Sequence, residues 1–114
     1  MKIKNKDLKR VNSALFSLGN HQGNIKDRWE ISKMAKPFAD AVGLLDMEIQ
    51  NLVQTQGTEE DGQKTLSTAN KDYIELMELD IEVDCELFTL EQLERYMPTT
   101  QELMDLTPII REGD

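Results

Sequence analysis

The chain has 114 residues, 39% hydrophobic and 31% charged, which suits one folded domain with a single core rather than a disordered segment. Thirteen basic against 22 acidic residues give a net charge of −9, which argues against a general nucleic-acid surface and a polybasic membrane anchor. One cysteine, Cys85, and one histidine, His21, exclude a disulfide framework and a cysteine-based zinc site. No apolar run approaches the roughly 20 residues of a membrane span, and the basic start MKIKNKDLKR lacks the apolar core of a signal peptide.

Leu8, Val11, Leu15 and Leu18 fall three, four and three apart and predict an amphipathic helix over about 6–18. Asn5 or Asp7 could cap it, and Gly19 and Asn20 could stop it. Ile31, Ala35, Phe38, Val42, Leu45, Ile49 and Leu52 then alternate steps of four and three, the seam of a long helix over about 27–54. Asp27 with Glu30 offers a capping box at its start, and Pro37 predicts a kink within it. The polar run 55–65 reads as a flexible connector. Its Glu59, Glu60, Asp61 and Gly62 lack the oxygen spacing of a calcium loop.

Leu66, Ala69, Tyr73 and Leu76 predict a helix over about 66–79, folding back antiparallel on the second half of the long helix while the first helix covers the other half. From Asp80 the period becomes two, with Ile81, Val83, Cys85 and Leu87 on one side and Asp80, Glu82, Asp84 and Glu86 on the other. That predicts a strand over about 80–88, whose partner could be residues 1–4, residues 108–111 or another subunit. Thr89 with Gln92, and Thr99 or Thr100, should start two short helices over about 90–96 and 100–106. The expected fold is α+β and mostly α: a kinked antiparallel helical hairpin, a covering N-terminal helix and a small strand-bearing C-terminal cap, all in one domain.

Charge is segregated along the chain, +6 over residues 1–36 and −15 over the remainder. Either the two parts neutralise each other through weak surface pairs, or the poles orient docking to a neighbour. Arg28, Trp29, Lys33 and Lys36 form an aromatic and basic group at the start of the long helix. Helix position favours Trp29 packing beneath the first helix beside Leu15 and Leu18; the same residue types are also those of a protein-interface anchor, with nucleic acid the less favoured ligand. Glu82, Asp84 and Glu86 form an acidic strand face that could meet a basic partner, although the default is a solvated edge. His21 reads as a solvated loop residue and Cys85 as a small buried hydrophobe. No set of residues points to catalysis, a cofactor or a metal.

The order of elements resembles that of a group of small uncharacterised proteins encoded by tailed bacteriophages and prophages. The likeness is carried by the helix Trp29, Glu30, Ile31, Ser32, Lys33, Met34, Ala35, Lys36, by the helix-to-strand run ELMELDIEVD, by the turn TLEQLE and by the close from Leu103 to Ile110. It implies a protein acting in the bacterial host cytoplasm or in the virion. The expected function is therefore a non-enzymatic structural or assembly protein acting through protein–protein contacts, as an oligomer or on a phage structural protein. The alternative is a small inhibitor that binds a host or defence factor through its acidic face.

Overall fold

A computed structural model describes residues 1–111. In chain order they form β1 (Lys2–Lys4), α1 (Asn5–Asn20), α2 (Ile25–Gln56), β2 (Thr58–Glu60), β3 (Gln63–Thr65), α3 (Lys71–Glu78), β4 (Asp80–Glu82), α4 (Leu90–Glu94) and α5 (Thr100–Leu106), followed by a 3-10 turn at Thr107–Ile109. The fold is α+β and mostly α, with two small antiparallel sheets among the described residues.

Leu8, Val11, Leu15 and Leu18, the apolar stripe of α1, are all fully buried. They meet the α2 seam, in which Ile31, Phe38 and Leu45 are buried and Ala35, Val42, Ile49 and Leu52 half-buried. The link between the two helices is only four residues long, so α1 and α2 form the principal helix pair. α2 runs unbroken through Pro37, although the proline supplies no amide to the carbonyl one turn before it. At ~1.5 Å per residue its 32 residues span ~48 Å, matching the 47 Å long axis of the molecule. The 16 residues of α1 cover half of it, and burial of the seam declines beyond Leu45.

Several boundaries differ from the sequence expectation, each for a local reason. α1 starts without a side-chain cap; the buried Asn5 instead donates its amide to the Leu76 carbonyl (2.9 Å) and its backbone N–H to the Leu79 carbonyl (3.0 Å). The first backbone N–H of α1 and the side chain beside it thereby serve carbonyls at the C-terminal end of α3. α2 starts two residues before Asp27, because Asn24 accepts the Asp27 N–H at 2.9 Å. Asp27 and Glu30 are thus released for tertiary contacts. The run 55–65 holds a hairpin, β2–β3, turned by Asp61 and Gly62 at positive φ (52° and 79°), the backbone of a type I′ turn. α3 begins only after Asn70, which accepts the Tyr73 N–H (3.0 Å), while Ser67 closes a turn ahead of it. It lies across the start of α1, with its first turn tied to the end of α2 by hydrogen bonds from Gln56 to Asp72 and from Asn70 to Gln56.

The alternating segment finds both of its intrachain partners. β4 pairs antiparallel with β1, placing Ile81 opposite Ile3. Beyond Val83 the strand ends in a tight turn in which Cys85 N–H donates to the Val83 carbonyl (2.8 Å), so Asp84 and Glu86 leave the face of Asp80 and Glu82. Phe88 then forms a parallel bridge to Ile110. The last helices follow their caps: Thr89 with Gln92 starts α4, and Thr99 with Glu102 starts α5. Leu93, Leu106 and Ile109 from this region complete the core.

Candidate protein-contact site

The segregated charges meet within the fold over the first nine residues. Lys4 and Lys6 pair with Glu78 (3.6 and 2.9 Å), Lys9 pairs with Asp46 (2.6 Å), and the Met1 ammonium lies 3.4 Å from Glu82. The basic residues at the start of α2 are used differently. Lys26, Arg28 and Lys33 enter no ion pair among the described residues, and Lys36 meets only Asp40 on its own helix (3.1 Å).

The acids of the same turns are occupied on the other side of the helix. Arg95 reaches Asp27 at 2.8 Å and Glu30 at 3.5 Å, and the Tyr96 hydroxyl donates to Glu30 at 2.9 Å. Glu30 holds the Arg95 guanidinium above its ordinary pKa, with smaller support from Tyr96 and Asp27. Burial, then the Glu30 hydrogen bond, pushes the Tyr96 phenol up. The Arg95 guanidinium also stacks over the Tyr96 ring, 5.0 Å from its centre. With Asp27 and Glu30 neutralised on one side of α2, the other side is left cationic.

Trp29 stands at the centre of that cationic side and is 64% exposed. The expectation that it packs beneath α1 beside Leu15 and Leu18 is overturned. Ile31, two residues on and therefore ~200° around the helix, occupies that place, packed with Leu18 and 3.4 Å from where a side chain on Gly19 would begin. Phe16 of α1, 70% exposed, joins Trp29. Asn12 and Phe16 form one wall and Trp29, Lys33, Lys36 and Ala39 the other of a groove of ≈ 430 Å³. Single exposed apolar residues are ordinary on protein surfaces, but two exposed aromatics lining one groove with the unpaired Lys33 have the composition of an interface anchor.

The two sequence-predicted groups are only partly brought together. A wider groove of ≈ 810 Å³ has Lys33 and Lys36 on one side and Asp84 on the other, over a floor that includes Met34, Pro37 and Phe88. Glu82 is drawn to the N-terminal ammonium, and Glu86 lies outside that groove. The acidic alternation is therefore not one continuous face. Cys85 is half-buried, its thiol pushed up chiefly by burial.

Sequence reasoning missed the buried carboxylate of Glu102. It is 4% exposed and accepts hydrogen bonds from Ser17 Oγ (2.6 Å) and the Thr99 N–H (2.8 Å), with His21 Nε2 at 2.9 Å. His21 is accordingly a structural partner of α5 rather than a free loop residue. Burial opposes the charge on Glu102, but the bonds from Ser17, His21 and Thr99 outweigh it and hold the carboxyl below the usual range. The three side chains do not form a nucleophile relay, since Ser17 gives its proton to the carboxylate and not to the imidazole. They pin α5 to the end of α1.

Among the described residues there is no cluster of metal-ligating side chains, and no helix is long and apolar enough to cross a membrane. No protein-family model, curated protein or solved structure matches the chain.

Proposed function

We propose that this chain is a non-enzymatic, phage-encoded structural or assembly protein that works through protein–protein contacts, in the host cytoplasm or in the virion. The phage assignment comes from the sequence resemblance. The contact function is supported by one observation above all: Trp29 and Phe16 stand exposed in a groove shared with Lys33, while Arg28 lines the next cleft with Phe16, and neither cation has an ion-pair partner among the described residues. An aromatic anchor with Arg at its side supplies a large apolar area and a planar cation, the residue types that dominate binding energy at interfaces.

Site-specific photo-crosslinking tests it. A photoreactive side chain replacing Trp29 in infected cells should capture a phage structural protein or a second copy of this chain. The same group at Met47, which is exposed on the far half of α2, should not. Equal capture at both positions would remove Trp29 from the site. A second reading, the inhibitor with an acidic contact face, draws on Asp84 and Glu86, both exposed and without an ion pair among the described residues. It predicts that D84K/E86K abolishes binding to a host factor while W29A leaves it intact.

A further inference from the structure

We infer that the partner of the Phe16 and Trp29 face is a second copy of this chain, which receives it in the apolar groove between α4 and α5. The inference rests on the proposed contact function and names the surface that completes it. That groove, ≈ 410 Å³, is lined by Leu90, Glu94, Met97, Pro98 and Leu103. Leu90 and Met97 are exposed there, Met97 by 80%. Met97 also holds a positive φ of 54°, and its N–H donates to the Glu94 carbonyl at 3.0 Å, so the end of α4 turns outward there.

Charge supplies the complement. Glu91 and Glu94 on α4 are exposed and enter no ion pair among the described residues, as is true of Arg28 and Lys33 at the other face. One surface is aromatic with unmatched cations; the other is an apolar groove with unmatched carboxylates. They cannot meet within one molecule. The Arg95 pairs to Asp27 and Glu30 fix the end of α4 against α2, and those two acids lie ~160° and ~100° around the helix from Trp29. Because the two surfaces differ, the contact is heterologous and generates a ring where the rotation closes and a filament where it does not.

Sedimentation velocity on the purified full chain tests the inference with two charge-reversed variants, R28E/K33E and E91K/E94K. The wild type should show a mass that rises above the monomer with concentration and falls back with added salt. Each variant alone should associate roughly tenfold or more weakly, since like charges then face each other. An equimolar mixture of the two should associate again, because an acidic face now meets a basic groove. M97D, a single change outside both charge pairs, should be monomeric, and circular dichroism confirms that every variant is folded. A wild type that stays monomeric at all concentrations, or a mixture that does not recover association, overturns self-docking. If Trp29 crosslinks to a different phage protein in that event, the contact function stands and only the identity of the partner falls. If Trp29 crosslinks to nothing, both fall.

Discussion

Replacing Glu102 with alanine should unfasten α5 from α1. The carboxylate is 4% exposed and takes a bond of 2.6 Å from Ser17 and one of 2.8 Å from the Thr99 N–H, with His21 at 2.9 Å. Alanine leaves the Ser17 hydroxyl without its acceptor, and a charge-assisted bond of this type contributes ~1.5–3 kcal/mol. It also breaks the return bond of the Thr99 capping box, worth on the order of 1 kcal/mol. Together with the small void left in a packed region, the loss should be ~2–4 kcal/mol. Glu102→Gln keeps the shape and one acceptor oxygen, so its cost should be about half of that. The assay is urea unfolding followed by far-ultraviolet circular dichroism. The same carboxyl sets an acid dependence. Its folded pKa lies below the ordinary 4.5, so the native state binds that proton less readily than the unfolded chain. The stabilisation is present above the unfolded pKa and is lost as pH falls through the folded one, below about 4.5. Glu102→Gln should flatten that part of the acid limb. A loss below ~0.5 kcal/mol for Glu102→Ala, or an acid limb unchanged in Glu102→Gln, would mean that this carboxylate does not fasten α5 to α1.

Three other substitutions test separate parts of the account by the same unfolding assay. Gly57→Ala should cost ~1–3 kcal/mol, because a Cβ there would run into the Val53 carbonyl oxygen and lie 3.0 Å from that of Thr65, both rigid backbone. Asn5→Ala should cost ~0.5–1.5 kcal/mol by removing the shorter of the two hydrogen bonds to the Leu76 carbonyl, which keeps only the Leu79 N–H at 3.3 Å, and hydrogen exchange should show α3 loosening first. Trp29→Ala should change stability by no more than ~0.5 kcal/mol, since the ring is exposed in the free chain.

Apolar spacing made the frame of this fold legible: the α1 stripe and the α2 seam both turn inward, and the Thr89 cap starts a helix where its spacing with Gln92 placed one. What spacing could not reveal was decided by competition or by distance. Asn24 and Asp27 are comparable capping residues; Asn24 takes the cap, and the Asp27 carboxylate meets Arg95, 68 residues away, a contact local spacing does not encode. The β2–β3 hairpin carried its signal in Asp61 and Gly62, but all six of its strand residues are exposed, so no alternation marked it. Glu102 stands at the third helical position after Thr99, where it reads as a local cap. Its burial depends on Ser17 and His21, more than 80 residues distant in sequence. A stripe that includes both 29 and 31 is geometrically impossible on one helix face, and Ile31 belongs to the unbroken seam, so Trp29 faces outward. The net charge likewise concealed a division of labour: the first basic residues tie the N-terminal segment to α2, α3 and β4, and those of α2, Lys36 apart, enter no ion pair among the described residues.

Trp29 is the only tryptophan, which gives the contact site its own reporter. Acrylamide quenching of its fluorescence across a concentration series is the most direct test. Trp29 should be readily quenched in the dilute chain and progressively protected, with a blue shift, as copies associate. Protection already complete in the dilute monomer, or accessibility that never changes as complexes form, would contradict contact through Trp29.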